Sequence, residues 1–445
     1  MKTNRFIANM SWLLFGRIFQ MIIQFIIGIL SARYLGPSNY GTISYVASYI
    51  SFFVSFSMLG LNGVLINELV HHRDSEGGIL GTAIVMRLVV ALLSVVVLFI
   101  IIQSTDGTDS VIFTIAVLMS FQIPLTAFDT IGLWYQSQLL SKKTVIIQSV
   151  SYFITATYKV YLLVTRKSVE WFAFSATLDM TLVTIFYLVS YQKNKNIAMS
   201  VSLPIMKRML KKCFPFLLAN LMVQVYQQTD KIMIRHLLDS VERVGVYTAC
   251  TIISGMLGFI PIALIDSGRP VVMELKATKS EKYELRMRQL IAGVMWISII
   301  YSFFISVFAT FVLGILYGPD YISGDNCLRI VVWYTAFSYL GGIRSIWLIC
   351  EEKNNYVFLL SFMGALTNIA LNVVLIPRFG INGAALATLL TQVLANLVYP
   401  SFFKSTRGFS VLAVNALLLR NVDFSKMIDF LKRNIKTIFG KNPEI

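Results

Sequence analysis

Charge is what this sequence has least of. Its 445 residues carry 38 Lys and Arg against 22 Asp and Glu, 13% in all, whereas a water-soluble globular chain carries about a quarter. That scarcity excludes a secreted enzyme, a nucleic-acid binder and a receptor with a large ectodomain. Cysteine is equally sparse. Cys213, Cys250, Cys327 and Cys350 form no CxxC pair and no metal-ligand spacing, so neither a disulfide framework nor a metal site is indicated. The three histidines, His71, His72 and His236, fall at or beyond the ends of apolar segments, which leaves no intramembrane histidine relay. No GxxxxGK[ST] stretch is present, so ATP hydrolysis has no phosphate cradle here. The apolar run after Lys2 and Arg5 is too long for a signal peptide and lacks a small-residue cleavage pattern before Arg33, so it reads as a first membrane helix.

What is present is hydrophobic: 56% of the chain, at a mean hydropathy of +0.72. A crossing needs about 20 mainly apolar residues. Stretches bounded by charge, Gly or Pro predict twelve spans, at 8–32, 42–67, 79–103, 110–138, 144–164, 170–191, 213–237, 245–268, 289–316, 327–350, 355–377 and 382–403. With the N-terminus cytoplasmic, 26 Lys and Arg fall on the cytoplasmic side and 6 on the other, so both termini are placed inside. Much of the net charge of +16 is then topology and contact with anionic lipid. The tail adds to that contact: Phe424, Met427, Ile428, Leu431, Ile435 and Ile438 recur at helical spacing opposite a basic face, the pattern of an anchor on the anionic inner leaflet.

The two halves repeat. Arg33 precedes Gly41 as Arg235 precedes Gly245, and Arg166 precedes Ala176-Thr177-Leu178 as Arg378 precedes Ala387-Thr388-Leu389. The expected fold is therefore an all-α integral membrane protein: twelve transmembrane helices in two parallel-repeat six-helix bundles around a central cleft. The expected parts are a bundle over 1–191, a basic cytoplasmic linker over 192–212, a second bundle over 213–403 and a basic amphipathic cytoplasmic tail over 404–445.

Polar groups inside the spans point to the candidate site. Asn220, Gln224, Gln227, Lys231 and Arg235 are spaced by 4, 3, 4 and 4, which keeps them within an arc of roughly 80° on a helix. Gln228 flanks that arc. Arg17, Gln20 and Gln24 form the corresponding stripe in the first span. Such stripes do not face acyl chains, and the substrate cleft is assigned to them. The bland alternative is that the amides bond neighbouring helices. Arg87, Lys159, Arg329 and Arg344, with Asp129 and Asp179, stand singly in their spans, while Asp230 sits at the edge of the stripe as an ion-pair partner for Lys231. The excess of cations suits an anionic cargo, because Arg forks and Lys point charges hold phosphate and amides suit sugar hydroxyls. A proton-coupled drug exporter would centre on buried carboxylates instead.

Three segments carry a family resemblance. Arg33-Tyr34-Leu35-Gly36-Pro37 with Tyr40-Gly41 and Gly60-Leu61-Asn62 resemble the first hairpin of polysaccharide flippases of the Wzx type. Gln227-Gln228-Thr229-Asp230-Lys231 followed by Val244-Gly245-Val246-Tyr247 resembles their QxxDK...GxY segment, and Asn368, Asn372 and the run Leu375 to Thr388 resemble their N...N-x-x-LIP-x-x-G-x-x-GAA-x-AT segment. The resemblance implies the MOP (MATE-like) exporter superfamily, a location in the bacterial inner membrane, and translocation of undecaprenyl-diphosphate-linked oligosaccharide, a unit of O-antigen, capsule or exopolysaccharide. It implies the lipid-linked oligosaccharide as partner, with the polymerase and chain-length machinery as further partners, no nucleic acid, no catalytic residue and no cofactor beyond an ion gradient. The alternatives are a MATE-like multidrug or cation antiporter and a membrane-embedded glycosyltransferase or polymerase.

Overall fold

The structure is a computed structural model that describes the backbone of residues 2–107, 109–193 and 198–420, and the side chains of these from Gln20 onward. Among the described residues every regular element is a helix. The N-terminal series runs α1 (Lys2–Ser57), α2 (Leu61–His71), α3 (Glu76–Asp106), α4 (Ser110–Ser120), α5 (Gln122–Leu125), α6 (Asp129–Ser137), α7 (Ser141–Val164) and α8 (Val169–Gln192). The long α9 (Leu203–Leu238) follows, then α10 (Val241–Gly255), α11 (Phe259–Ala277), α12 (Lys282–Val307), α13 (Ala309–Leu316), α14 (Asp325–Val331) and α15 (Tyr334–Cys350). The chain closes with α16 (Asn355–Phe379), α17 (Ile381–Val393), a π-helical turn (Leu394–Val398), α18 (Tyr399–Phe402) and α19 (Arg407–Leu417). The tail expected to lie on the leaflet, 424–439, falls outside the described residues.

Each of the twelve apolar stretches falls on helix. Among the described residues, seven helical stretches have the length and apolarity to cross a membrane, and eight when α10 and α11, bent by 47°, count as one broken span. The first of these, Gln20–His71, contains two expected spans. They divide at Gly36, whose φ of 70° and ψ of 170° leave the helical region just before Pro37, a pairing that only glycine adopts at little cost. The remaining expected spans fall on α7 and α9, diluted by Lys159 and by the amide-cation stripe, and on the short α15.

The faces of α3 show what solvent this fold meets. Ala83, Arg87, Ala91, Ser94, Leu98 and Ile102 are buried at helical spacing. The opposite stripe of Val89, Leu92, Leu93, Val96 and Ile100 is exposed, with Leu92 at 58% and Ile100 at 62%. A helix that exposes its branched aliphatics and buries its arginine is organised for hydrocarbon. Because lipid tails are as apolar as Leu, close packing rather than transfer from water holds such helices together.

The chain divides into two compact units, Met1–Ile232 and Met233–Ile445, with the change falling inside α9. In the first, Leu61 and Leu65 of α2 pack with Leu80 of α3, Trp134 of α6, Tyr187 of α8 and Met209 of α9. In the second, Leu264, Met287, Leu290, Leu340, Trp347 and Phe409 form the centre of the core. Backbones approach closely where glycine stands. A Cβ on Gly60, whose φ is 66°, would lie 2.5 Å from the Leu217 amide nitrogen, and one on Gly383 would lie 2.1 Å from the Leu375 carbonyl oxygen. In the second unit the two segments that carry the repeat meet, the Tyr247 hydroxyl lying 3.2 Å from Thr388 Oγ1.

Candidate functional site

On α9 the polar stripe is continuous along the helix surface. Asn220 and Gln227 are exposed, and Gln224, Gln228, Lys231 and Arg235 are half-buried. Lys231 Nζ donates to Gln228 Oε1 at 3.4 Å, a long bond that leaves most of the ammonium's donor capacity unspent. Gln224 Oε1 is buried and accepts no hydrogen bond among the described residues. Arg235, one turn on, pairs with the exposed Asp239 at the helix end, so its charge is partly compensated there. Asp230 is buried, 3% exposed, close enough to act electrostatically on Lys231. The stripe is thus a ladder of amides ending in one ammonium and one paired guanidinium.

On α1, Gln24 is exposed and Gln20 half-buried, and the side chain of Arg17 lies outside the described residues. Ile22 and Ile26, on the other side of the same turns, are also exposed, at 54% and 51%. Exposure alone therefore does not separate the Gln face from the Ile face.

Four of the six charges that stand singly in their spans come together in the first unit. Arg87 is 1% exposed. Its guanidinium fork spans two helices, Nη2 donating to Asn62 Oδ1 of α2 at 2.8 Å and Nη1 to Thr130 Oγ1 of α6 at 3.1 Å. Asp129 lies within Coulombic reach of Arg87 and of Asp179 on α8. Asp179 accepts from Thr155 Oγ1 at 3.3 Å and feels Lys159 on α7. Four helices thereby contribute a row of charged groups, Arg87, Asp129, Asp179 and Lys159, two carboxylates between two cations and formally neutral in sum. Buried ions persist when so compensated and hydrogen-bonded. A count of intramembrane cations overstates the net positive charge, because this row spends two of them on two carboxylates. Asn62 and Thr130 were absent from the residues assigned by sequence, although Asn62 belongs to the Gly60-Leu61-Asn62 segment that carries the resemblance.

In the second unit Arg344 is buried and its Nη1 donates to the carbonyl oxygen of Ala395 in the π-helical turn. Asn396 in that turn donates to Gln392 Oε1 at 2.8 Å, and Asn372 donates to Asn368 Oδ1 at 3.2 Å. Arg329 sits at the periphery, where Nη2 donates to Thr310 Oγ1 at 3.3 Å. Among the described residues no group of His, Cys, Asp and Glu is arranged to hold a metal ion.

Comparison with known proteins places this architecture. The sequence profile of the family described as "Polysaccharide biosynthesis protein" matches residues 6–265, more than half of the chain. The protein belongs to that family. The matched region contains the Arg33 to Gly41 and Gly60 to Asn62 segments and the Gln227 to Tyr247 segment, so the polysaccharide biosynthesis protein is of the Wzx type within the MOP superfamily. The MatE profile matches residues 215–374. Among curated relatives, the probable flippase AglR of Haloferax volcanii is 29% identical over 189 residues, 41% of this chain and 38% of its own length. The chain thus matches less than two fifths of that relative. Among solved structures, the lipid II flippase MurJ in an inward closed conformation aligns with a TM-score of 0.73 at 13% identity, covering 96% of each chain. An inward-facing multidrug resistance MATE transporter of the MOP superfamily aligns at 0.65 and 13% identity, covering 89% of this chain and 98% of its own. At such identities the likeness is one of fold.

Proposed function

We propose that this polysaccharide biosynthesis protein is a flippase that carries an undecaprenyl-diphosphate-linked oligosaccharide from the cytoplasmic to the outer leaflet of the bacterial inner membrane by alternating access. It performs no catalysis on its cargo. The observation that carries the reading is the α9 ladder: amides suited to sugar hydroxyls, rising to the half-buried ammonium of Lys231, a point charge suited to phosphate. Family membership and the partial likeness to a probable flippase support it. Both termini are cytoplasmic in this reading, and the polymerase and chain-length machinery receive the product. An ion gradient is the drive in this reading.

One observation favours a second reading. The MatE profile and a MATE transporter fold, together with the half-buried Asp129 and Asp179, suit a drug or cation antiporter. Vesicles containing the purified protein decide between them. The flippase is expected to move a fluorescent prenyl-diphosphate oligosaccharide between leaflets with its glycosidic bonds intact. Lys231→Ala should slow that movement, since losing one partner of a desolvated charge pair costs on the order of 2 to 5 kcal/mol. Export of cationic dyes with the lipid-linked sugar left in place would establish the antiporter, and longer glycans would establish a polymerase.

A further inference from the structure

A crevice of about 320 Å3 opens in the first unit between α2 and the start of α9, one to two turns before Asn220, where the amide ladder begins. Gly63, Val64, Asn67, Glu68, Lys212 and Phe216 line it. The two helices run antiparallel here, because Gly60 touches Phe216 and Leu217 while Glu68 bonds Lys212 and Arg208. Their polarity therefore rises in the same direction. On α2 it passes from Gly63 and Val64 to Asn67 and Glu68, and on α9 from Phe216 to Lys212 and Arg208. The apolar ends meet at one end of the crevice and the charged ends at the other.

The charged end is preorganised. Glu68 is 3% exposed and holds Arg208 at 2.7 Å and Lys212 at 2.7 Å, with His72 at 3.8 Å. One carboxylate thus fixes two permanent cations whose side chains remain 40% and 55% exposed. Lys212 gives one N–H to Glu68, and an ammonium has three. Phe216, in the lining, is 57% exposed, and Leu210 and Phe214 on the opposite side of α9 are exposed as well, so this stretch of the helix is apolar toward its surroundings. A residual positive charge at one end of a crevice whose other end is an exposed aromatic matches a phosphate-headed lipid in its bilayer orientation.

We propose that this crevice binds one anionic glycerophospholipid of the adjoining leaflet, its phosphate on Lys212 beside Arg208 and its chain along Phe216 and Val64. The site is independent of the cargo reading. Glu68 positions the two cations and keeps the start of α9 on α2, and the lipid completes the charge balance that a single carboxylate leaves open. Gly63 offers a direct probe, because a Cβ there meets no atom within 4 Å and a larger side chain grows into the crevice without disturbing the Glu68 pairs.

The test uses the full chain in nanodiscs of phosphatidylcholine and phosphatidylglycerol, released into detergent and weighed intact by native mass spectrometry. The unaltered protein is expected to retain one phosphatidylglycerol. Gly63→Phe and Lys212→Gln should each weaken that retention by roughly tenfold or more, and Lys279→Gln, which removes an exposed charge elsewhere, should not. Gly63→Phe should also keep the unfolding temperature of the unaltered protein, which separates blocking from misfolding. Full retention by Gly63→Phe overturns the proposal. So does equal retention of phosphatidylcholine, and so does preferential retention of a prenyl phosphate when both lipids are offered, which would instead make the crevice an entry point for cargo.

Discussion

Arg87 illustrates how much a single side chain can organise inside a membrane. Its fork ties Asn62 of α2 to Thr130 of α6 while its charge faces Asp129, and it is essentially sealed from solvent. Arg87→Met removes the cation but leaves a carboxylate and two polar groups behind, so a loss of about 3 to 5 kcal/mol is expected, read as a lower unfolding temperature in detergent. Asn62→Ala strands only one guanidinium nitrogen and should cost less, about 1 to 3 kcal/mol. A smaller loss from Arg87→Met than from Asn62→Ala would show that Arg87 adds little net stability and that the cost lies in leaving its guanidinium without a partner. The presence of Arg87 in a membrane span was plain in the sequence, and its partners were not. They lie on other helices, 25 and 43 residues away, and periodicity within one helix carries no information about contacts between helices.

At the scale of the element, legibility depends on which solvent a helix meets. The amide-cation ladder of α9 could be read from spacing alone, because five polar residues on one arc stand out against apolar neighbours. The buried face of α3 could not be read that way: both its faces are largely apolar, and Thr82, Arg87, Ser94 and Asp106 mark the inner one too sparsely to form a stripe. Breaks were legible through glycine and proline. Gly36 before Pro37, and Gly380 with a φ of 59° after Pro377, end helices where the sequence placed turns. Gly60 was quoted as part of a motif, and the structure supplies its reason. It combines a left-handed backbone with contact on the α9 backbone. Gly60→Ala should therefore destabilise the protein by more than about 1 kcal/mol, whereas Gly63→Ala, in open space on the same helix, should be neutral or slightly stabilising. Thermal unfolding of the two variants side by side checks the contrast.

For the whole molecule, composition and charge asymmetry went furthest. Scarce charge, twelve apolar stretches and an internal repeat led to an all-helical transporter fold, and the MOP architecture follows that outline. The 26 to 6 distribution of Lys and Arg predicts which loops lie on the cytoplasmic side. That assignment is tested in intact cells with a thiol reagent that does not cross the membrane. A cysteine replacing Lys279 should be protected, and one replacing Lys167 should react. Reversal of the two would invert the topology and with it the direction in which the cargo is carried. The native cysteines interfere little, since Cys213, Cys250 and Cys327 are buried.

The π-helical turn at Leu394–Val398 has a mechanical consequence. A wider turn lodges one residue more than an α-helix of the same rise, so the segments before and after it are out of phase by about 100°. Arg344 grips the carbonyl of Ala395 inside that turn, and Asn396 presses on Gly341 of the same partner helix, α15. A second helix holds the same turn, because Ser410 of α19 donates to the Leu397 carbonyl oxygen at 2.8 Å. The slack is thus pinned by α15 and α19 together. Only with both grips released could the surplus residue migrate along the chain, each step rotating α18 about its axis without stretching the helix. The span that contains α17 and α18 is in this sense a screw whose thread is locked at two points.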